Sequence, residues 1–313
     1  MALPSCSLSI LVARTDIPFM MHTIPHLVRT CNFPFTERVL AVDTAPLTGD
    51  KVNRPGVGTM EELRACCNEL LKKGVIDKIV DINYDKTYQH RVYTKHFDSR
   101  IRQTHNYKGY PILGTIFTIE ESQSDYMLHF DSDMLLYQQS GHSWIEEGIK
   151  LLQEKPDIMA VRPLTGPPTQ DGSMQQIFPY ELDSNGFYRF KFFGSRAYLI
   201  DRKRFDRLLP LKVLWRPAKT KIINLLPSKI QTLVNYFANK GALDSWEVMI
   251  SKQLENTSYF RATLSSPKAW TLHPIKRGPE FIEALPNIIE KIESGWYPSE
   301  QAGHYDLKFE LWL

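Results

Sequence analysis

Cysteine is scarce in this chain. The four that occur, Cys6, Cys31, Cys66 and Cys67, show no metal-ligand spacing, and the adjacent pair falls in a helical pattern. That usage excludes a disulfide scaffold, and the thiols read as reduced core residues of a cytoplasmic protein. No apolar stretch approaches the length of a transmembrane helix. The short run Leu8–Ala13 carries neither a cationic leader nor a cleavage pattern, so secretion is not expected. Net charge is only +3 over 313 residues, too small an excess to point to nucleic acid as a partner. Internal repeats and low-complexity tracts are absent as well, which excludes solenoid and linker architectures.

What remains is an ordinary globular composition, 42% hydrophobic and 23% charged, long enough to bury a sizeable core in one large domain or two closely joined lobes. Ser7–Ala13 is a short continuous apolar run suited to a strand buried on both faces, and it exits at Arg14-Thr15-Asp16-Ile17-Pro18. Phe19–Thr30 has helical spacing, and Arg38–Val42 is a second buried strand ending at Asp43. Strand, helix, strand opens a parallel α/β sheet, in which ligands sit at the carboxyl ends of strands. Asp16 and Asp43 both fall there. Thr48–Gly58 reads as a loop, Thr59–Lys73 as an amphipathic helix with acidic start and lysine-rich end, and Val75–Ile82 as a third strand. From Tyr84 to Tyr110 the chain is polar and aromatic. Its three histidines, His90, His96 and His105, fit neither one helix face nor a zinc motif, so they are expected to be surface or substrate-loop residues.

The stretch Asp125-Tyr-Met-Leu-His-Phe-Asp131-Ser132-Asp133-Met-Leu-Leu stands out. An apolar strand releases two carboxylates spaced i and i+2, which in a strand point the same way. Such a pair is tolerable only if solvated, hydrogen-bonded or facing a cation. A hard divalent ion, held by one or two carboxylates with substrate phosphates completing its shell, is the natural partner. The tripeptide alone is common by chance. Here it is the only D-x-D in the chain, it lies at a strand end, and a helical segment, Leu113–Ser122, introduced by Gly109-Tyr110-Pro111, precedes it.

Ser143–Glu154 is a further amphipathic helix and Ile158–Arg162 a further strand; from Thr165 the chain is less regular. Phe187–Ile200 has strand composition interrupted by Gly194, which permits a bend or the close approach of a ligand. Arg202–Lys229 carries nine basic residues against a single acid, Asp206. It reads either as a solvated helical excursion or as a segment that handles anionic or lipid-linked acceptors and brings the protein against the inner face of a membrane. Leu243–Leu254 is a helix opening on Asp244-Ser245-Trp246-Glu247. Tyr259–Leu264 and Lys268–Leu272 are late strands, the second ending at His273.

In this order of elements the chain resembles the GT-A type of nucleotide-sugar glycosyltransferases, most nearly the family 2 group. The resemblance spans roughly residues 7–275, and SDYMLHFDSDML is its most specific element. It implies a Rossmann-like α/β domain over residues 1–313, with a mixed, mainly parallel sheet flanked by helices. Residues 1–135 would form the nucleotide-sugar-binding half, and residues 136–313 a less regular acceptor-binding and catalytic half. It further implies that Arg14, Asp16, Gly109 and Ser132 border the donor, that Asp43 accepts a hydrogen bond from the base, and that Asp131 faces the ribose or the metal. Asp133 would bind Mn²⁺ or Mg²⁺, with His273 completing the coordination. Glu247 occupies the place of the general base; Asp244 is its rival, although it could instead cap its helix. Trp246 and Trp270 would stack on a sugar or belong to the core. The implied reaction is transfer of a sugar from a UDP- or GDP-type donor to a saccharide, lipid-linked or small-molecule hydroxyl, with inversion.

The chain departs from the family in three places. The Thr-Tyr-Asn usual after the first strand is Arg14-Thr15-Asp16, the usual Gly-x-x-x-Ala-Arg is Gly109-Tyr-Pro-Ile-Leu-Gly114, and the usual Glu-Asp pair is Trp246-Glu247. Two alternatives stay open. A nucleotidyltransferase would want a Gly-rich, basic loop after the first strand, which ARTDIP does not supply; a non-catalytic nucleotide-binding protein would not need every acidic position.

Overall fold

A computed structural model describes residues 4–218 and 221–313. Its centre is a nine-stranded sheet. Chain order gives β1 (Cys6–Val12), β2 (Glu37–Val42), β3 (Lys78–Asp81), β4 (Tyr126–Asp131), β5 (Leu135–Gln138), β6 (Ile158–Arg162), β7 (Leu164–Thr165), β8 (Tyr180–Leu182), β9 (Phe187–Phe190), β10 (Ala197–Asp201), β11 (Phe260–Leu264) and β12 (Ala269–Leu272). The large sheet runs β3-β2-β1-β4-β10-β6-β11-β9-β8, and β5-β12-β7 form a small second one. Only β9 and β10 run against the other strands of the large sheet. The mixed, mostly parallel sheet expected of the chain is therefore present, and strands from both halves of the sequence share it.

Ten helices accompany the sheet among the described residues: α1 (Ile17–Cys31), α2 (Met60–Lys72), α3 (Lys86–Phe97), α4 (Ile112–Glu121), α5 (Trp144–Glu154), α6 (Arg202–Phe205), α7 (Lys221–Asn224), α8 (Ser228–Ala238), α9 (Trp246–Glu255) and α10 (Pro279–Glu293). Period-2 alternation in β1 sends Cys6, Leu8, Ile10 and Val12 into one core with Met20, Ile24 and Leu27 of α1, Leu63 and Leu70 of α2 and Trp144 and Ile149 of α5. Across the sheet, Met127, Tyr198 and Ile200 pack against α3, α4 and α9. A third core lies under α10, where Phe281, Leu285 and Ile292 meet Leu135, Trp270 and Trp312. Truncating a fully buried residue such as Leu8 to Ala costs about 2–5 kcal/mol in such surroundings.

Local chemistry explains the element ends. Thr59 and Glu62 form a reciprocal capping box at the start of α2, with Thr59 N–H donating to the Glu62 carboxylate at 2.7 Å and Glu62 N–H to the Thr59 hydroxyl at 3.1 Å. Asp85 caps α3, a helix the polar composition of 84–110 did not reveal. His96 is buried against Glu120 at 2.7 Å, so it is neither a surface nor a loop residue. The 187–200 stretch is two strands, not one interrupted strand: β9 and β10 lie on opposite sides of β6 and β11. Gly194 joins them at φ +70°, and what approaches it closely is the Arg162 guanidinium, 2.6 Å from where a Cβ would stand. Trp246 packs with Phe193 and Phe205, and Trp270 stacks on Tyr137; both are core residues. Three of the four cysteines are buried and all four are free thiols.

The basic stretch divides. Arg202 and Arg204 donate to main-chain carbonyls of Ile119, Ser124 and Lys155, while Phe205, Leu208, Leu211 and Val213 enter the core, so its first half is neither flap nor solvated excursion. Lys219 and Thr220 lie outside the described residues. No described helix is long and apolar enough to cross a membrane.

Candidate active site

The site is built where β1, β2 and β4 end side by side. After β1 the chain turns so that the Asp16 carboxylate accepts the Ala13 N–H and the Thr15 hydroxyl, each at 2.9 Å. Pro18 then opens α1. Asp16 is nearly buried. That burial, aided by the Asp133 charge, raises its pKa against the opposing pull of Lys51. Arg14, on the same turn, is half-buried and pairs with no other described side chain.

After β2, Asp43 accepts the Tyr84 hydroxyl at 2.7 Å and the Ala45 N–H at 3.1 Å, and its other oxygen meets His105 Nε2 at 3.0 Å. Burial works against the charged form, but the hydrogen bonds and the charges of His105 and Lys51 outweigh it and lower its pKa. Lys51, itself buried, thus serves both Asp16 and Asp43. Its loop is clasped by the 106–110 loop. Gly109, at φ +84°, lies so close to the Thr48 carbonyl that a Cβ would stand 1.9 Å from that oxygen. Only glycine fits there, and its place in the site is to seat the Lys51 loop.

β4 stops at Asp131. Met134 N–H closes a turn onto the Asp131 carbonyl at 3.2 Å, and the chain leaves for β5 in the other sheet. The two carboxylates therefore do not lie on one strand face. Asp131 keeps 42% of its side chain open and touches His129 Nε2 at 3.3 Å; desolvation works against its charge, but the hydrogen bond and charge of His129, with Arg196 and His273 beyond it, lower its pKa. Asp133, 6% open, pairs with Arg277 through one oxygen; the other is buried with no partner. Ser132 is buried between them, its carbonyl held by the Thr23 hydroxyl of α1. His273, just past β12, donates from Nδ1 to Asp306 at 3.0 Å and accepts at Nε2 from Arg277 at 3.1 Å, so both its ring nitrogens are engaged.

Glu247, in the first turn of α9, faces the same region. Its Oε2 accepts the Ser195 N–H at 2.6 Å and the Ser195 hydroxyl at 3.0 Å. The main chain at 195–196 joins the two sides, since Asp131 N–H donates to the Arg196 carbonyl at 2.7 Å while Ser195 holds Glu247. Burial works against the Arg196 charge, yet Tyr305, Asp131, Glu247 and Asp133 are all close enough to raise its pKa further. Asp244 points elsewhere: it accepts the Ser245 N–H at 2.8 Å and pairs with Arg216 at 3.4 Å. The cap of α9 is Ser245, whose hydroxyl accepts the Val248 N–H, so Asp244 is not the N-cap the sequence suggested. Beneath the site, Arg162 lies over the Tyr305 ring at 4.7 Å, and Arg261 is wholly buried, its cation penalised by burial and by the Arg162 charge.

Between the first turn and the loop after β12 runs a cavity of about 120 Å³, lined among others by Thr15, Pro18, Arg54, Ile275 and Arg277. It is smaller than the roughly 300–1,000 Å³ of a small-molecule pocket. Sequence reasoning placed Asp16, Asp43, Asp131, Asp133 and Glu247 in this region. It missed Lys51, Tyr84, His105, Arg196, Arg277, Tyr305 and Asp306. Asn106-Tyr107-Lys108-Gly109 was the one available signal for the Lys51 loop, as a turn; nothing marked the arginines.

No family model matches the chain, and no curated protein matches its sequence. Among solved structures it is similar to GalNAc-T7, described as bound to UDP, GalNAc and Mn²⁺, with a TM-score of 0.50 and 12% identity over 87% of this chain. The match spans 44% of that protein's chain. At such identity the likeness shows the fold, and the fold is that of the GT-A glycosyltransferases.

Proposed function

We propose that this chain is a nucleotide-sugar glycosyltransferase, moving a sugar from a UDP- or GDP-type donor to a saccharide, lipid-linked or small-molecule hydroxyl with the help of Mn²⁺ or Mg²⁺. The observation that carries the reading is that the β4 exit bearing Asp131 and Asp133 meets the turn that holds Glu247: Asp131 N–H donates to the Arg196 carbonyl at 2.7 Å, and the adjacent Ser195 donates to Glu247 Oε2. The ligands in the description of GalNAc-T7 are of the same class. Among the described residues no three His, Cys, Asp or Glu side chains cluster as a ready cage. A hard divalent ion needs only one or two carboxylates besides substrate phosphates, and the buried, unpartnered oxygen of Asp133 beside the open Asp131 fits that need. His273 fits as a further ligand only when Arg277 leaves its Nε2. When bound, the ion would offset the charge that develops on the departing diphosphate.

The chain's own groups do the rest. Ser195 fixes one oxygen of Glu247 and leaves the other to take the acceptor's proton. The acceptor oxygen then bonds to the anomeric carbon as the bond from that carbon to the diphosphate oxygen breaks, and the electron pair departs with the nucleoside diphosphate. Attack from the face opposite the leaving group inverts the centre. Asp43, held ionised, offers its His105-facing oxygen to a base N–H. Arg14, Asp16, Ser132 and the Gly109-seated Lys51 loop border the donor.

A second reading is favoured by one contact. Arg277 stands on Asp133, so a guanidinium could neutralise the diphosphate without any ion. Incubation with a panel of nucleoside-diphosphate sugars, with Mn²⁺ and with chelator, decides the matter. Release of nucleoside diphosphate that chelator abolishes supports the first reading, and release indifferent to chelator supports the second. Pyrophosphate released from a nucleoside triphosphate would instead make the chain a nucleotidyltransferase.

A further inference from the structure

α8 is built inside out. Its buried residues are the polar Thr232 and Asn235. Thr232 accepts the Trp215 indole N–H at 2.9 Å, and Asn235 packs on Gly241. The apolar residues face solvent: Ile230 is 48% exposed, Leu233 56%, Val234 37% and Phe237 73%. Their spacing, i, i+3, i+4, i+7, makes one continuous stripe along the helix. Ile222 and Leu225, just before α8 in sequence, are exposed as well, at 72% and 84%. Scattered exposed hydrophobics are ordinary, but a contiguous stripe with the polar side turned inward is the pattern of an interaction surface.

The charge around the stripe selects the occupant. From Arg207 to Leu243 the sequence contains seven Lys or Arg and no Asp or Glu. Lys229 and Lys240 are exposed at the two ends of α8, and Arg102, from a neighbouring loop, lies over the Tyr236 ring at 4.6 Å. The nearby acids, Asp98 and Asp244, are each already paired, with Lys229 and Arg216. We infer that the α7–α8 face seats on an anionic lipid bilayer, with Leu225, Leu233 and Phe237 entering the headgroup–acyl boundary and the surrounding lysines and arginines meeting lipid phosphates. This inference does not depend on the transfer reaction.

Sedimentation with phosphatidylcholine vesicles, with and without phosphatidylglycerol, tests it on the intact protein. The protein should partition onto the anionic vesicles and not onto the neutral ones, with binding that fades as salt rises. Leu233→Glu combined with Phe237→Glu, at positions more than half exposed, should lower partition by about tenfold or more with the thermal midpoint little moved. Lys229→Gln with Lys240→Gln should lower it by about threefold or more, at low salt only. Absence of partition overturns the inference, as does equal partition of the double glutamate variant. So does a concentration-dependent dimer that those glutamates abolish in the absence of vesicle binding, since the face would then belong to a second copy.

Discussion

The two halves of the chain bring different mixtures of charge to the same site, the first mainly carboxylates, with Lys51 between two of them, and the second mainly arginines. Residues up to 135 contribute Asp16, Asp43, Asp131 and Asp133, each at or just beyond the end of a parallel strand. Later residues contribute Arg162, Arg196, Arg261 and Arg277, with Glu247 and Asp306 as their acids. The carboxylates are presented by regular elements. Arg196 and Arg277 sit on loops, between β9 and β10 and after β12, where no periodicity fixes a side chain in advance. Under the proposed function, the earlier half would offer the positions for a cation and a base, and the later half most of the arginines and the proton acceptor.

The sharpest way to break that division is Glu247→Gln. It preserves shape and the Ser195 contacts while removing the proposed base, so steady-state turnover should fall by about 10² to 10⁴ with donor affinity little changed. Normal turnover in this variant alongside loss in Asp244→Asn would move the base to Asp244, and a product with the donor's anomeric configuration would rule out single displacement. Next in size is Asp133→Asn, from the opposite half. It should lower turnover by about 10² to 10³ and weaken donor binding with it, because it removes charge from the proposed diphosphate site.

A change away from the site separates scaffold from chemistry. Glu120 joins α4 to α3 through His96 and Lys95. Burial alone would raise its pKa, but those hydrogen bonds and charges bring it down to about 2. A carboxylate depressed below its unfolded value stabilises the fold above the unfolded pKa and loses that contribution as pH falls through the folded one. The window here runs from about pH 5 down to pH 2. Glu120→Gln should therefore cost on the order of 2 kcal/mol at pH 7, allowing for solvent screening on the Lys95 side, and nothing near pH 2. Denaturant titrations at the two pH values would show it, with nucleoside-diphosphate binding unaltered at pH 7. The smallest effect belongs to Asp43→Asn, which should weaken donor binding by about tenfold at nearly constant turnover. A loss of turnover instead would mean that Asp43 acts on the reacting end.

The same contrast explains what the sequence disclosed. β1, β2, β4 and their exits were legible because a buried parallel strand is a nearly unbroken apolar run, and whatever polar residue ends it is marked by contrast. α2 was legible from its cap and its period. α3 was not, because its apolar residues are spread among His, Tyr and Gln, nor was α10, whose Pro286 lies inside the helix. The Asp133–Arg277 pair joins positions far apart in sequence across two sheets, and nothing local announces it. Trp246-Glu247 was read correctly as a helix start, yet the cap fell to Ser245 because Asp244 was drawn to Arg216.

Calorimetric titration of a nucleoside diphosphate into the wild-type protein and Asp133→Asn, each with Mn²⁺ and with chelator, tests the central claim most directly. The account predicts binding by the wild type that requires the ion and that Asp133→Asn loses. Equal binding with and without the ion, unaltered by Asp133→Asn, would contradict it.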